Sequence, residues 1–121
     1  MSDVVKYNSA VTGPNKSVID FLFEEFLQAL PSAMFKVWHG APVFFLDDIP
    51  VVGYQDHKHG VKVLFWSGKD FSEPGLLGSG KHRAAGITYT EVASINVDDL
   101  RRYLRLSTEI IWDYRSLRPT K

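Results

Sequence analysis

The chain has 121 residues, no cysteine, and 14 basic against 14 acidic side chains, so its formal net charge is zero. That balance disfavours a whole-molecule electrostatic grip on nucleic acid or an anionic membrane. The missing cysteine removes disulfides, thiol nucleophiles, thiolate zinc sites and cysteine-bound iron–sulfur clusters.

Apolar residues make up 45% of the chain, enough for one ordinary domain to bury a core without covalent staples. No apolar run approaches the roughly 20 residues of a membrane span. Met1 to Asn15 is polar and lacks the apolar stretch of a signal peptide. The expectation is a cytoplasmic protein with a flexible N-terminal arm over 1–15 and a single domain over 16–118. The first periodic segment is Ser17 to Leu30, where Ile19, Leu22, Phe23, Phe26 and Leu30 recur at helical spacing. Pro14-Asn15 or Ser17 can open this helix, Ser17 with Asp20 resembles a capping box, and Pro31 stops it.

From Ala33 the pattern turns to strands. Phe35–Trp38, Val43–Leu46, Val51–Tyr54 and Val61–Trp66 are separated by His39-Gly40-Ala41-Pro42, by Asp47-Asp48 and by Asp56–Gly60. Their closeness favours antiparallel hairpins. Ser67 to Ala85 is a long glycine-rich loop, and loops of that length are usually functional or mobile. Ile87–Val92 reads as a fifth strand. Asn96 caps a last helix with Asp98 and Asp99 in its first turn. Val97, Leu100, Leu104, Ser107, Ile111 and Tyr114 mark its inward face, and Pro119 ends it. The fold class is α+β: an antiparallel sheet of about five strands, with an N-terminal and a C-terminal helix packed on one face.

Such a sheet has a second face to account for. In Val61–Trp66 one parity gives Val61, Val63 and Phe65, and the other gives Lys62, Leu64 and Trp66. Both faces therefore carry large apolar side chains, while the helices cover only one. The other is covered by loops and the N-terminal arm, or it forms a pocket or a protein interface, of which a homodimer is the commonest form.

Gly78-Ser79-Gly80-Lys81-His82-Arg83 is the one place where glycines and basic side chains crowd together. Its backbone amides, with Lys81 and Arg83, suit a phosphate or carboxylate. The same residues also suit a tight turn whose cations pair with nearby acids. It is not a Walker loop, because the spacing and the following Ser or Thr are missing and a strand follows it. Trp38 and Trp66 are candidate apolar contacts, with Phe45 beside them if strand parity allows, and His39 lies next to Trp38. Asp47, Asp48, Asp56, His57 and His59 form an alternative, metal-binding set, since imidazole with carboxylate suits Fe(II) or Zn(II).

Trp38-His39-Gly40-Ala41-Pro42, the Gly78–Arg83 stretch, the strand at Ile87 to Tyr89 and Asp98-Asp99-Leu100 together resemble the bacterial YdhG-like family, a domain of unknown function (1801). The resemblance covers about residues 16–118. It implies an α+β fold similar in architecture to frataxin, and one branch of the family is described as frataxin-like intracellular iron chaperones. Frataxin-type iron binding uses an acidic ridge on the first helix, where this chain has only Asp20, Glu24 and Glu25.

No Gly-x-Ser-x-Gly elbow, His-Glu-x-x-His pair or marked general base is present. The arginines of the last helix, Arg101, Arg102, Arg105, Arg115 and Arg118, share it with Asp98, Asp99, Glu109 and Asp113, which suits a solvated face rather than nucleic acid. The reading is a non-catalytic binding module without a cofactor, with no nucleic-acid or membrane partner. It uses Trp38, His39, Trp66, Gly78, Gly80, Lys81 and Arg83 for a small anionic ligand or a protein partner. The alternative is an iron chaperone.

Overall fold

The computed structural model describes residues 2–80 and 82–112. It is an α+β structure of three α-helices and one six-stranded antiparallel sheet. Helix α1 (Asp3–Ala10) and helix α2 (Pro14–Ala29) lead into β1 (Met34–Trp38), β2 (Ala41–Leu46), β3 (Ile49–His57) and β4 (Gly60–Phe65). β5 (Leu77–Gly78), β6 (Ala85–Tyr89) and helix α3 (Val97–Glu109) complete the order. The strands lie side by side as β1-β2-β3-β4-β6-β5. The sixth strand is the two-residue β5, drawn from the glycine-rich loop. No helix among the described residues is long and apolar enough to cross a membrane.

The expected N-terminal arm is a helix, which corrects the sequence reading. Ser2 caps it, its Oγ accepting the Val5 N–H at 3.1 Å. Val4 is fully buried, and Asn8 accepts the phenol proton of Tyr54 at 2.6 Å. Burial pushes that phenol well above its ordinary pKa, against the opposing effect of the Asn8 bond. Eight residues are too few to hold a helix alone, so docking on the sheet holds this one. It also guards an edge: the outward N–H of Val37 on β1 donates to the Asp3 carboxylate at 3.0 Å.

Helix α2 opens at the earlier of the two expected positions, with Pro14 at its first position after Gly13. Ser17 therefore lies inside the helix, and Asp20 makes no capping box; it pairs with Lys16 at 2.9 Å. The β1–β2 break shrinks to His39-Gly40, with φ of 54° and 85°, and Asp47-Asp48 turns with φ of 52° and 65°. Two left-handed residues in a two-residue loop make the turn whose twist matches the strands. β3 runs on to His57, so only Lys58-His59 turn the chain into β4.

One face of the sheet packs against the helices. Phe44, Val52, Tyr54, Val61, Val63 and Phe65 alternate onto it and are buried with Ile19, Leu22 and Phe26 of α2 and Leu100 and Leu104 of α3. The rings meet edge to face, Phe26 with Phe44 at 5.2 Å and Phe65 with Tyr103 at 5.8 Å between centroids. Two forked ion pairs moor α3. Arg101 donates to both oxygens of Glu25 at 2.9 and 3.1 Å, and Arg102 to both of Glu73 at 2.8 Å. Leu100, Leu104 and Ser107 face inward as expected, joined by Tyr103. Ile111 lies past the helix end, and Asp113, Tyr114, Arg115, Arg118 and Pro119 lie outside the described residues.

Candidate functional site

The pairing register fixes what stands on the other face. Met34, Lys36 and Trp38 of β1 align with Phe45, Val43 and Ala41 of β2. Gly53 and Gln55 of β3 face Leu64 and Lys62 of β4, which face Gly86 and Thr88 of β6. Leu77 of β5 stands next to Gly86 at the far edge. No helix among the described residues covers this face. The largest apolar exposures, Met34 at 73% and Leu77 at 75%, fall at the two edges of this face. Asp56 is the only acid on any strand, and it alternates to the helix side, where Asn15 donates to it at 2.6 Å.

Trp38 and Trp66 converge over this face from β1 and from the end of β4, their ring centroids 6.2 Å apart. Trp38 also packs on His39 at 4.3 Å and on Phe45 at 5.4 Å. Phe45 is thus on the open face, and Lys36 covers its ring with Nζ 5.1 Å from the centroid. Beside the tryptophans lies a pocket of about 280 Å³. Its apolar side is formed by Trp38, Trp66, Leu64, Val43 and Pro42, and its polar side by Gln55, His57 and Lys62, with His39 at the rim.

Gly53 leaves the room for this pocket. A Cβ there would come within 2.6 Å of the Pro42 carbonyl oxygen, so no larger residue fits without moving the β2–β3 pairing. Lys62 Nζ lies 3.5 Å from the Ser79 hydroxyl and makes no ion pair among the described residues. Sequence reasoning put Trp38, His39 and Trp66 at a ligand site, and the structure places all three at one pocket. It missed Gln55, Lys62 and Leu64, although the shared parity of Lys62, Leu64 and Trp66 was the signal.

The glycine-rich stretch does not line this pocket, although its Ser79 reaches Lys62, and it is built as a hairpin. Gly78 pairs with Ala85, the Ser79 N–H donates to the Ala84 carbonyl at 2.9 Å, and the Lys69 N–H donates to the Arg83 carbonyl at 2.7 Å. Gly80 takes φ of 75° at the bend, and its carbonyl accepts from Lys69 Nζ at 3.2 Å. Arg83 pairs with Asp70 at 3.5 Å and stacks over the Trp112 ring at 5.4 Å. Gly78, Gly80 and Arg83 do not line the tryptophan pocket, and Lys81 lies outside the described residues. The Ser79 amide and the Arg83 charge are thus already engaged, which leaves Lys62 as the cation of the pocket.

The metal set does not assemble. Asp47 and Asp48 turn β2 into β3, whereas Asp56, His57 and His59 stand at the other end of β3. At about 3.3 Å per residue, those ends are roughly 26 Å apart. Within the second group His57 faces the pocket and Asp56 the helix side, bound to Asn15. No group of three His, Cys, Asp or Glu suited to a metal occurs among the described residues. Helical acids fare similarly, since Asp20 and Glu25 are paired with Lys16 and Arg101.

No protein-family model matches the sequence, and no curated protein matches it either. The fold matches the crystal structure of a DUF1801-family protein, YdhG, from Bacillus subtilis, with a TM-score of 0.65 over 88% of this chain and 89% of that one, at 10% identity. The family whose short motifs the sequence resembles is thus also one whose fold the chain shares. A shared fold carries no activity with it, so the function rests on the site.

Proposed function

We propose that the chain is a non-catalytic binding module that holds a small anionic ligand on its open aromatic sheet face. The observation that carries this reading is the pocket of about 280 Å³ between the Trp38–Trp66 pair and Lys62. A concave, mainly apolar lining with a few convergent polar groups is the usual form of a ligand site. Tryptophan supplies rigid apolar area there, and Lys62, which has no acidic partner among the described residues, supplies the charge.

The same charge pattern favours a ligand over a second copy of the chain. Two-fold self-association through this face would set cations against cations, since Asp56, the acid on the described strands, alternates to the helix side.

The test is a fluorescence titration with anilinonaphthalene sulfonate, an aromatic anion. Wild-type protein should give saturable enhancement, and Trp38→Ala and Trp66→Ala, each still folded by circular dichroism, should lose it. Enhancement unchanged in both variants would place dye binding elsewhere and end this reading.

A further inference from the structure

The face between the two sheet edges has one sign of charge. Among the described residues its ionisable groups are Lys36, Lys62 and the imidazoles of His39 and His57. The whole chain is balanced at 14 against 14, and its ion pairs among the described residues lie on the helices and on the loop that carries Asp70, Glu73 and Arg83. The segregation is therefore local to this face. Of the two lysines, Lys36 is engaged over the Phe45 ring. Lys62 lines the pocket, its Nζ lies 3.5 Å from the Ser79 hydroxyl, and it makes no ion pair among the described residues.

The pocket's size narrows the ligand further. At about 280 Å³ the pocket is near the lower limit of those that take drug-sized molecules, so it suits a small aromatic ligand with a short acidic group. One lysine ammonium, with the Gln55 amide beside it, matches one negative charge. Phosphate recognition draws instead on arginine forks or a run of backbone amides, and neither lines this pocket.

We infer that the pocket takes an aromatic monocarboxylate, its ring against Trp38 and Trp66 and its carboxylate on Lys62, which selects the acid over neutral analogues. This rests on the binding-module reading above and adds the ligand class and the selecting residue.

The experiment displaces anilinonaphthalene sulfonate with hydrocinnamate, with its uncharged amide and with phenyl phosphate. It uses the wild-type chain, Lys62→Met, which keeps the aliphatic stem, and Lys62→Arg, which restores the charge. A charge-assisted hydrogen bond at a partly shielded site predicts that wild-type protein prefers hydrocinnamate to its amide by roughly tenfold. Lys62→Met should bind the two equally with the amide affinity unchanged, and Lys62→Arg should keep the preference. Equal affinities in wild-type protein, or a preference that survives Lys62→Met, would overturn the inference and leave the binding-module reading standing, because the amide still displaces the dye. Tighter binding of phenyl phosphate would overturn the carboxylate assignment. Failure of every compound to displace the dye would remove both.

Discussion

Both faces of the sheet carry aromatic side chains, and they differ in what covers them. On the helix side Phe44, Val52, Val63 and Phe65 are buried to 0% exposure under α2 and α3. The ion pairs Glu25–Arg101 and Glu73–Arg102 fasten α3 over them. On the open side Trp38, Leu64 and Trp66 remain half-buried, and among the described residues the lysines have no acid on their own face. The first face is closed by the chain itself, whereas the second is apolar, concave and charged in one sense. The first therefore serves stability and the second recognition.

Substitutions should separate these roles. The largest effect is expected from Phe44→Ala or Phe65→Ala, which remove fully buried rings and should cost about 3–5 kcal/mol in urea unfolding. Trp66→Ala on the open face should cost about 1 kcal/mol, near the centre of the usual range, while abolishing ligand binding. Equal losses from the two faces would break the contrast. Asn8→Ala leaves the Tyr54 hydroxyl without its acceptor, and an unsatisfied buried donor costs about 1–3 kcal/mol. A neutral result there would mean that α1 does not dock through this bond. Gly53→Ala should destabilise by about 1–3 kcal/mol through overpacking against the Pro42 carbonyl, read by thermal melting, and weaken dye binding as the pocket floor rises.

A smaller, pH-dependent effect sharpens the helix side. Hydrogen bonding from Arg102 holds the Glu73 carboxyl below its ordinary pKa. A depressed folded-state pKa adds stability that is fully present above the usual carboxylate range and is lost as pH falls through the depressed value. Glu73→Gln should flatten that part of the acid limb in unfolding measured between neutral and acidic pH, with dye affinity at neutral pH unchanged. The smallest effect on binding is expected from Arg83→Ala, since Arg83 faces Asp70 and Trp112 rather than the pocket.

The sheet and the flanking helices were legible because their signals are periodic. Alternation in Val61–Trp66 gave both faces of β4 and raised the question of the uncovered one. Helix α1 was not legible, because in eight residues only Val4 and Asn8 become buried, and one of those is polar. Trp38, His39 and Trp66 were found as large or bend-forming residues on the same face. Lys62 was passed over for Lys81 and Arg83 because local crowding of basic residues is visible in a sequence, whereas the pairing of Arg83 with Asp70 is not. The metal set failed for a related reason: Asp47, Asp48, Asp56, His57 and His59 cluster along the chain, but β3 runs between them and carries them apart.

The central claim is that recognition belongs to the open face and not to the glycine-rich hairpin. The three tryptophans report on it directly, since Trp38 and Trp66 border the pocket and Trp112 lies against His82 and Arg83. The measurement is a proton–nitrogen NMR titration with hydrocinnamate that follows the three indole N–H signals. Saturable shifts of Trp38 and Trp66 with Trp112 unmoved are the result expected here. A shift confined to Trp112 would move the site to the hairpin and contradict the account.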